Sequence, residues 1–224
     1  MPAPKPTRLF HMTAAANLAA ICKVGGLVSK NHGAAGGINY QNIAYSGAQG
    51  ARAVREVPDP PGGSIHDYVP FYFAPRSPML FTIDRGNVPG CPWRQADIVH
   101  LETTVERIVA RGLSFVFYDR NATLDYSKPF TSLADLDAAV AWDLITESPR
   151  LDGYCKYWKS DPFNPRYADR MERRQAEFLV KARMPIDCLT RMGVIDPARK
   201  AEVEGILKAA GITVRVDVMR DWYF

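Results

Sequence analysis

The last apolar run of the chain has the plainest pattern. Ile212, Val214, Val216 and Val218 alternate with Thr213, Arg215 and Asp217, the two-residue period of a strand with one buried face. Shorter runs rich in β-branched and aromatic residues predict strands over 9–12, 68–73, 79–83, 98–103, 114–118 and 178–183, most of them bounded by Pro, Gly or Asp. Helical spacing groups Leu18, Ile21 and Val24 on one side of a helix over 14–23, with Thr13 as its cap and Gly25-Gly26 as its stop. The same spacing in Leu133, Leu136, Ala139, Val140 and Leu144 predicts a helix over 132–145. A third helix starts at Asp196-Pro197, a cap followed by a proline at the first helical position, and closes at Gly211. The strands lie too close together for repeated βαβ crossovers, and no repeat or linker divides the chain. These observations predict one mixed α+β domain over 1–224.

Residues 31–53 interrupt the pattern with Gly, Ala, Asn and Ser around His32, Tyr40 and Tyr45. Such a stretch is too long and too rich in glycine for a passive connection, and loops of this kind are usually functional or disordered. Asn42-Ile43-Ala44-Tyr45, followed by Arg52 and Arg55, suggests a short helical or irregular binding element.

Composition narrows the class. No apolar run approaches the ~20 residues that span a bilayer, and residues 1–8, with three prolines, lack the apolar core of a signal peptide. Cys22, Cys91, Cys155 and Cys188 are scattered and match neither a zinc pattern nor a disulfide framework. A cytoplasmic protein with free thiols, bound to no membrane and using no metal, is the expectation. The formal net charge of +4 permits a nucleic-acid partner without requiring one. Its distribution is more telling. Residues 150–174 hold Arg150, Lys156, Lys159, Arg166, Arg170, Arg173 and Arg174, interleaved with Tyr154, Tyr157, Trp158, Phe163 and Tyr167. Cations for phosphates and flat rings for bases are the requirements of a single-strand channel.

Four places can carry chemistry. Glu177 stands where this basic stretch gives way to an apolar strand, which predicts a carboxylate at a strand mouth. Nearby positive charge would hold it ionised, and an ionised carboxylate can stabilise the cationic sugar of a breaking glycosidic bond. His11-Met12-Thr13 at a strand-to-helix junction can hold a carboxamide or a ribose hydroxyl. Arg52 can clamp a pyrophosphate, although no Walker-type or dinucleotide glycine fingerprint is present. In the aromatic strand around Tyr68 and Tyr72, a tyrosine can stack on a planar ring such as nicotinamide.

The order and wording of these segments resemble the DarT family of DNA ADP-ribosyltransferase toxins. The pieces are LFHMT at 9–13, NIAY at 42–45 with Arg52 following, VPDPPGG at 57–63, HDYVPFYFAPRSPML at 66–80, FVFYDR at 115–120, QAEFLV at 175–180 and RDWYF at 220–224. The wording departs at 31–42, 84–96 and 152–174. The resemblance implies the ADP-ribosyltransferase fold, a split, bent β-sheet with flanking helices around a central NAD cleft. It implies Glu177 and Arg52 as catalytic residues and His11, Met12, Thr13, Ala20, Val28, Arg52 and Tyr72 as the NAD-binding set. Residues 31–55 would form the NAD-binding loop and 118–177 the substrate-binding loop, with Tyr157, Trp158, Lys159, Arg166 and Arg170 on DNA.

The reaction so implied moves ADP-ribose from NAD, a co-substrate, onto a base of single-stranded DNA in a sequence-specific manner, with thymidine as the expected acceptor and a block to replication as the consequence. A duplex hides the acceptor ring nitrogen. The expected protein partner is a cognate antitoxin with ADP-ribosyl-DNA hydrolase activity. Two readings compete: transfer to RNA or protein, and a catalytically silent nucleic-acid-binding module. Joint presence of His11, Arg52 and Glu177 weighs against the silent module.

Overall fold

The structure, a computed structural model, describes residues 1–38, 40–43 and 46–224, the side chain of Ser46 excepted. Ala44 and Tyr45 of the NIAY motif therefore lie outside the described residues. Twelve strands are described: β1 (Arg8–Ala14), β2 (Gly26–Val28), β3 (Tyr68–Tyr72), β4 (Ile98–Thr104), β5 (Phe115–Tyr118), β6 (Pro129–Phe130), β7 (Arg150–Leu151), β8 (Tyr154–Cys155), β9 (Glu177–Lys181), β10 (Arg183–Pro185), β11 (Arg191–Val194) and β12 (Val216–Val218). The helices are α1 (Leu18–Val24), α2 (Lys30–Ala35), α3 (Ser46–Val54), α4 (Pro78–Asp84), α5 (Val105–Ala110), α6 (Leu136–Ala139), α7 (Trp142–Ile145), α8 (Arg170–Arg173) and α9 (Pro197–Ala209).

Eight strands form the main sheet in the order β12-β11-β4-β1-β3-β9-β5-β6. All seven residues of β4 are buried, as a strand flanked by β1 and β11 requires. β1 pairs with β4 along its full length, from Arg8↔Thr104 to Ala14↔Ile98. Against β3, its other neighbour, the register records one pair, Phe10↔Tyr72. The sheet thus parts between β1 and β3, and Pro70 explains how the parting is tolerated. Proline has no N–H to give a ladder, and the Pro70 carbonyl on that side accepts from His11 Nδ1 at 2.8 Å. A side chain of β1 closes the gap that its backbone leaves open.

Several elements depart from the sequence pattern. Residues 79–83 are helical, not extended: Ser77 Oγ accepts from Leu80 N at 3.2 Å and Pro78 occupies the first helical turn, so α4 begins there. Thr13 does not cap α1. It remains in β1, buried, and accepts from Asn17 Nδ2 at 3.0 Å, while α1 proper starts at Leu18 after a short 3-10 turn. The helix expected over 132–145 is broken at Val140, whose backbone is extended, and Trp142 Nε1 donates back to Leu136 O at 3.0 Å across the break. Ala182, with φ 60, ends β9 and turns the chain into β10, which pairs with β2. The last strand is confined to β12, because Ile212 and Val214 pack only partly against the core.

The C-terminal RDWYF segment is structural. Trp222 lies 0% exposed and its indole donates to Asp152 at 2.8 Å. Tyr223 donates to Ile98 O at 2.8 Å, and Phe224 exchanges two hydrogen bonds with the Gln95 side chain. Gly193 accommodates this packing: a Cβ there would stand 2.1 Å from the Trp222 ring.

Candidate active site

Where the sheet parts, a cleft of about 700 Å³ opens, within the usual range for small-molecule and cofactor sites. β1 contributes His11, Met12 and Thr13, β2 contributes Val28, β3 contributes Tyr72, and α3 contributes Arg52. Six of the seven residues expected to hold the cofactor therefore share one wall system. Ala20 does not join them. It lies on α1 and is not among the described lining residues.

Lys30 and Arg52 line this cleft, and no carboxylate does among the described lining residues. An excess of cations over carboxylates among its described lining residues suits a polyanionic ligand. Tyr40 Oη and Arg52 Nη2 are buried in its wall without a hydrogen-bond partner among the described residues. Buried donors left open in this way carry a desolvation penalty that a ligand oxygen can relieve.

Glu177 lies beneath the arginine. It is the first residue of β9, as the expected strand mouth requires. The solvent exposure implied by that position is not found, because its side chain is 1% exposed. The register explains the burial: Glu177 is paired with Tyr72 on β3 and with Tyr118 on β5, so an aromatic residue stands on each side. The cations next to it in sequence are not its partners. Arg52, 125 residues away, is: its Nη1 donates to Oε2 at 2.9 Å and Oε1 at 3.2 Å. One nitrogen serves both oxygens, and a carboxylate has about four lone-pair sites, so Glu177 retains the capacity to accept from a hydroxyl.

Burial sets the protonation of the neighbouring groups. Desolvation lowers the His11 imidazole to about 4, and the Arg52 charge acts in the same direction. His11 is thus neutral at physiological pH, with Nδ1 donating to Pro70 O and Nε2 left to accept. The Tyr72 phenol is pushed well above its ordinary value, first by burial and then by the Glu177 charge, so it remains protonated and able to donate.

The expected DNA contacts divide into two groups. Tyr157, 54% exposed, and Lys159 are at the surface, and Arg166 is half-exposed with Asp143 at 3.5 Å. Trp158 is buried at 8% exposure, packed on Phe81 at 5.0 Å and Phe224 at 5.6 Å. It belongs to the core and presents no face to a base. Arg170 is buried as well, 3.5 Å above the Tyr167 ring and 3.7 Å from Glu147. Phe163, one of the rings interleaved with the cations of this segment but not in the expected DNA-binding set, is 95% exposed. It tips a turn between Pro162 and Pro165, where Phe163 N and Asn164 N both bond to Asp161. The proline-bracketed wording Asp161-Pro162-Phe163-Asn164-Pro165 was the available signal.

Asn121, Thr123 and Gln175 also line the cleft and were not anticipated. Asn121 and Gln175 are joined at 3.5 Å. Among the described residues, no group of three or more His, Cys, Asp or Glu side chains is placed to hold a metal ion, and no helix is long and apolar enough to cross a membrane.

A cleft roomy enough for a dinucleotide, with a buried carboxylate bonded to the arginine of its wall, fits the class of enzyme that binds NAD and stabilises a cationic sugar, the ADP-ribosyltransferases. The family model described as "ssDNA thymidine ADP-ribosyltransferase, DarT" matches residues 10–224, and the chain belongs to that family. It is similar to a DNA ADP-ribosyl transferase of Thermus sp. (strain 2.9), 35% identical over 99% of this chain and 98% of the relative. A second relative, the DNA ADP-ribosyl transferase of Escherichia coli O127:H6, is 32% identical over 83% of this chain and 80% of its own length. Among solved structures, Thermus sp. 2.9 DarT in complex with ADP-ribosylated ssDNA superposes with a TM-score of 0.87 at 34% identity, covering 100% of this chain and 99% of that one. The same enzyme in complex with NAD+ superposes with a TM-score of 0.81 at 32% identity, covering 99% and 100%. The α+β fold and the use of NAD to ADP-ribosylate single-stranded DNA are those of the family.

Proposed function

We propose that this chain transfers ADP-ribose from NAD to thymidine in single-stranded DNA, with Glu177 and Arg52 as the catalytic pair. The observation that carries the assignment is the buried Arg52–Glu177 contact, which joins an arginine of the cleft wall to a carboxylate directly behind it. The nicotinamide of NAD is already cationic and leaves neutral, so the chain must hold the dinucleotide and stabilise the ribose cation that forms. Glu177 accepts from the ribose 2′-OH and places a fixed negative charge beside that cation. His11 and Thr13 hold the nicotinamide end, Tyr72 flanks it with a protonated phenol, and the free Nη2 of Arg52 faces the phosphates.

The acceptor nitrogen of thymine loses its proton to solvent as it bonds to the ribose C1′ from which nicotinamide departs. Arg52, already at the carboxylate, favours the anionic form of the ring through its charge. Its two roles are compatible, because Nη1 and Nη2 are separate donors. DNA lies along 118–177, with Phe163 and Tyr157 as stacking rings and Lys156, Lys159 and Arg166 toward the phosphates. A paired base is shielded from attack, so single strands are used. The chain works in the cytoplasm, is a toxin opposed by a hydrolase that removes ADP-ribose from DNA, and requires no metal. Mass spectrometry of thymidine-containing oligonucleotides treated with enzyme and NAD tests the reading. An ADP-ribose adduct on thymine of the single strand, formed in the presence of chelator, is expected. Adducts confined to another base, to RNA or to protein would overturn it.

A further inference from the structure

Helix α3 and the residue that follows it carry two arginines with opposite commitments. Arg52 turns to Glu177 in the cleft. Arg55, three residues on, leaves the cleft and reaches the loop between β5 and β6. Its Nη1 donates to Leu124 O at 2.5 Å and its Nη2 to Ser127 O at 3.0 Å, and its guanidinium lies 5.8 Å from the Tyr118 ring centroid. The Asp125 contact at 3.7 Å involves a fully exposed carboxylate and adds little. What holds Arg55 is therefore a two-pronged grip on two backbone carbonyls, a geometry suited to the planar guanidinium fork and not to a lysine.

The gripped loop is itself ordered. Leu124 N bonds to Asn121 O at 3.1 Å and Ser127 N to Leu124 O at 2.9 Å, while Asp119 Oδ1 accepts from Lys128 N at 2.8 Å. Its far side presents Asn121 and Thr123 to the cleft, and Asn121 meets Gln175, two residues before Glu177. The connections form a closed ring: Arg52 to Glu177 directly, and Arg55 through the 119–128 loop and Gln175 back to β9. A displacement of α3 must move both the nucleotide side of the cleft and the loop opposite it.

We propose that Arg55 is a positioning residue that couples the two substrates, so that a nucleotide engaging Arg52 on α3 sets the 119–128 loop for the DNA strand. The proposal rests on the placement of DNA along 118–177. It differs from a role for Arg55 in either binding site, because Arg55 faces away from the cleft. Coupling of this kind is reciprocal: the nucleotide tightens DNA by the factor by which DNA tightens the nucleotide.

The test measures the affinity of a fluorescent thymidine-containing oligonucleotide with and without a carbocyclic NAD analogue, whose glycosidic bond does not break. In the wild type the analogue is expected to tighten oligonucleotide binding by about 5-fold or more, the lower bound of common allosteric couplings. In Arg55→Lys, which keeps the charge and loses the fork, the ratio falls to about one while each ligand alone binds within about twofold of wild type, since coupling and single-site affinity are separate quantities. Arg55→Gln is run beside it, with the melting temperature of each variant; if the glutamine variant fails to fold, the lysine variant decides. No coupling in the wild type, or coupling retained in folded Arg55→Lys, overturns the proposal. Transfer from authentic NAD to the same oligonucleotide is followed in parallel: its absence in the wild type counts against the functional reading, whereas transfer without coupling removes only this inference.

Discussion

Arg52 and Glu177 are 125 residues apart in the chain and share one nitrogen and two oxygens at 2.9 and 3.2 Å. The contact explains how a carboxylate at 1% exposure remains tolerable, since a buried charge without a partner is costly. It also links the helix of the nucleotide side to β9, which lies between β3 and β5 in the sheet. A reaction that needs a negative charge beside a sugar and a positive charge beside a base finds both within one hydrogen-bonded unit.

Glu177→Gln keeps the volume of the side chain and removes its charge. Transfer is expected to fall by ~10²–10³-fold, the cost of losing one preorganised electrostatic contact to a transition state. Thermal unfolding should still be cooperative, because Tyr72 and Tyr118 continue to pack around the amide. Single-turnover transfer to a labelled oligonucleotide measures the effect. A variant retaining a third or more of the wild-type rate would remove Glu177 from the mechanism.

Arg52→Ala and Arg52→Lys separate the two tasks given to the arginine. If the guanidinium holds phosphates, NAD affinity falls in both variants; if it stabilises an anionic base, the single-turnover rate falls even at saturating NAD. Both effects are expected in the alanine variant. Lysine should recover part of the rate through its charge and less of the affinity, since it cannot donate from two fixed nitrogens. Unchanged affinity and rate in Arg52→Ala would exclude Arg52 from the site.

The sequence made some of this legible and hid the rest for identifiable reasons. Strands β1, β3, β4, β5 and β9 follow from β-branched and aromatic runs, and α9 from Asp196-Pro197, because local preference and tertiary packing agree there. Ser77-Pro78 carries the same start signal as Asp196-Pro197. It was outweighed by the apolar composition of Met79-Leu80-Phe81, which reads equally as a buried strand or a buried helix face. Glu177 stood out at a basic-to-apolar boundary, yet its partner lies 125 residues away and no local pattern reports such a pairing. The error over Trp158 is of the same kind: an aromatic in a basic segment serves a base or the core, and only the packing of Phe81 and Phe224 decides.

Stability should depend on pH through the histidines. His100 is 0% exposed, its Nε2 donates to Pro75 O at 3.0 Å, and Trp222 and Tyr223 meet its ring edge-on. Burial lowers it to about 4 from 6.5, and His11 behaves alike. Below pH 6.5 the unfolded chain takes up protons that the folded chain refuses. Stability contributed by each group is therefore intact above about 6.5, declines as pH falls toward about 4, and levels below that. For fully buried His100 the total is about 3 kcal/mol, the free energy that separates a pKa of about 4 from 6.5. Denaturant midpoints taken between pH 7 and 4.5 are expected to fall less steeply in His100→Gln than in wild type. Parallel profiles would show that His100 does not control the slope.

The surface of the 150–174 segment yields the last prediction. Phe163 at 95% exposure and Tyr157 at 54% make no contribution to the core, whereas Trp158 does. Phe163→Ala should therefore weaken single-stranded DNA binding by the ~1–3 kcal/mol of one stacked base and leave the melting temperature unchanged. Trp158→Ala should instead lower stability by ~3–5 kcal/mol, the cost of a large-to-small change in a packed site. Lys159→Ala and Arg166→Ala should each reduce the salt dependence of binding, because a phosphate contact releases a condensed counterion. Fluorescence titrations at two salt concentrations, with a melting curve for every variant, measure all three effects. An unaltered titration in Phe163→Ala would mean that the DNA strand follows another face of the protein, and an unaltered melting curve in Trp158→Ala would remove Trp158 from the core.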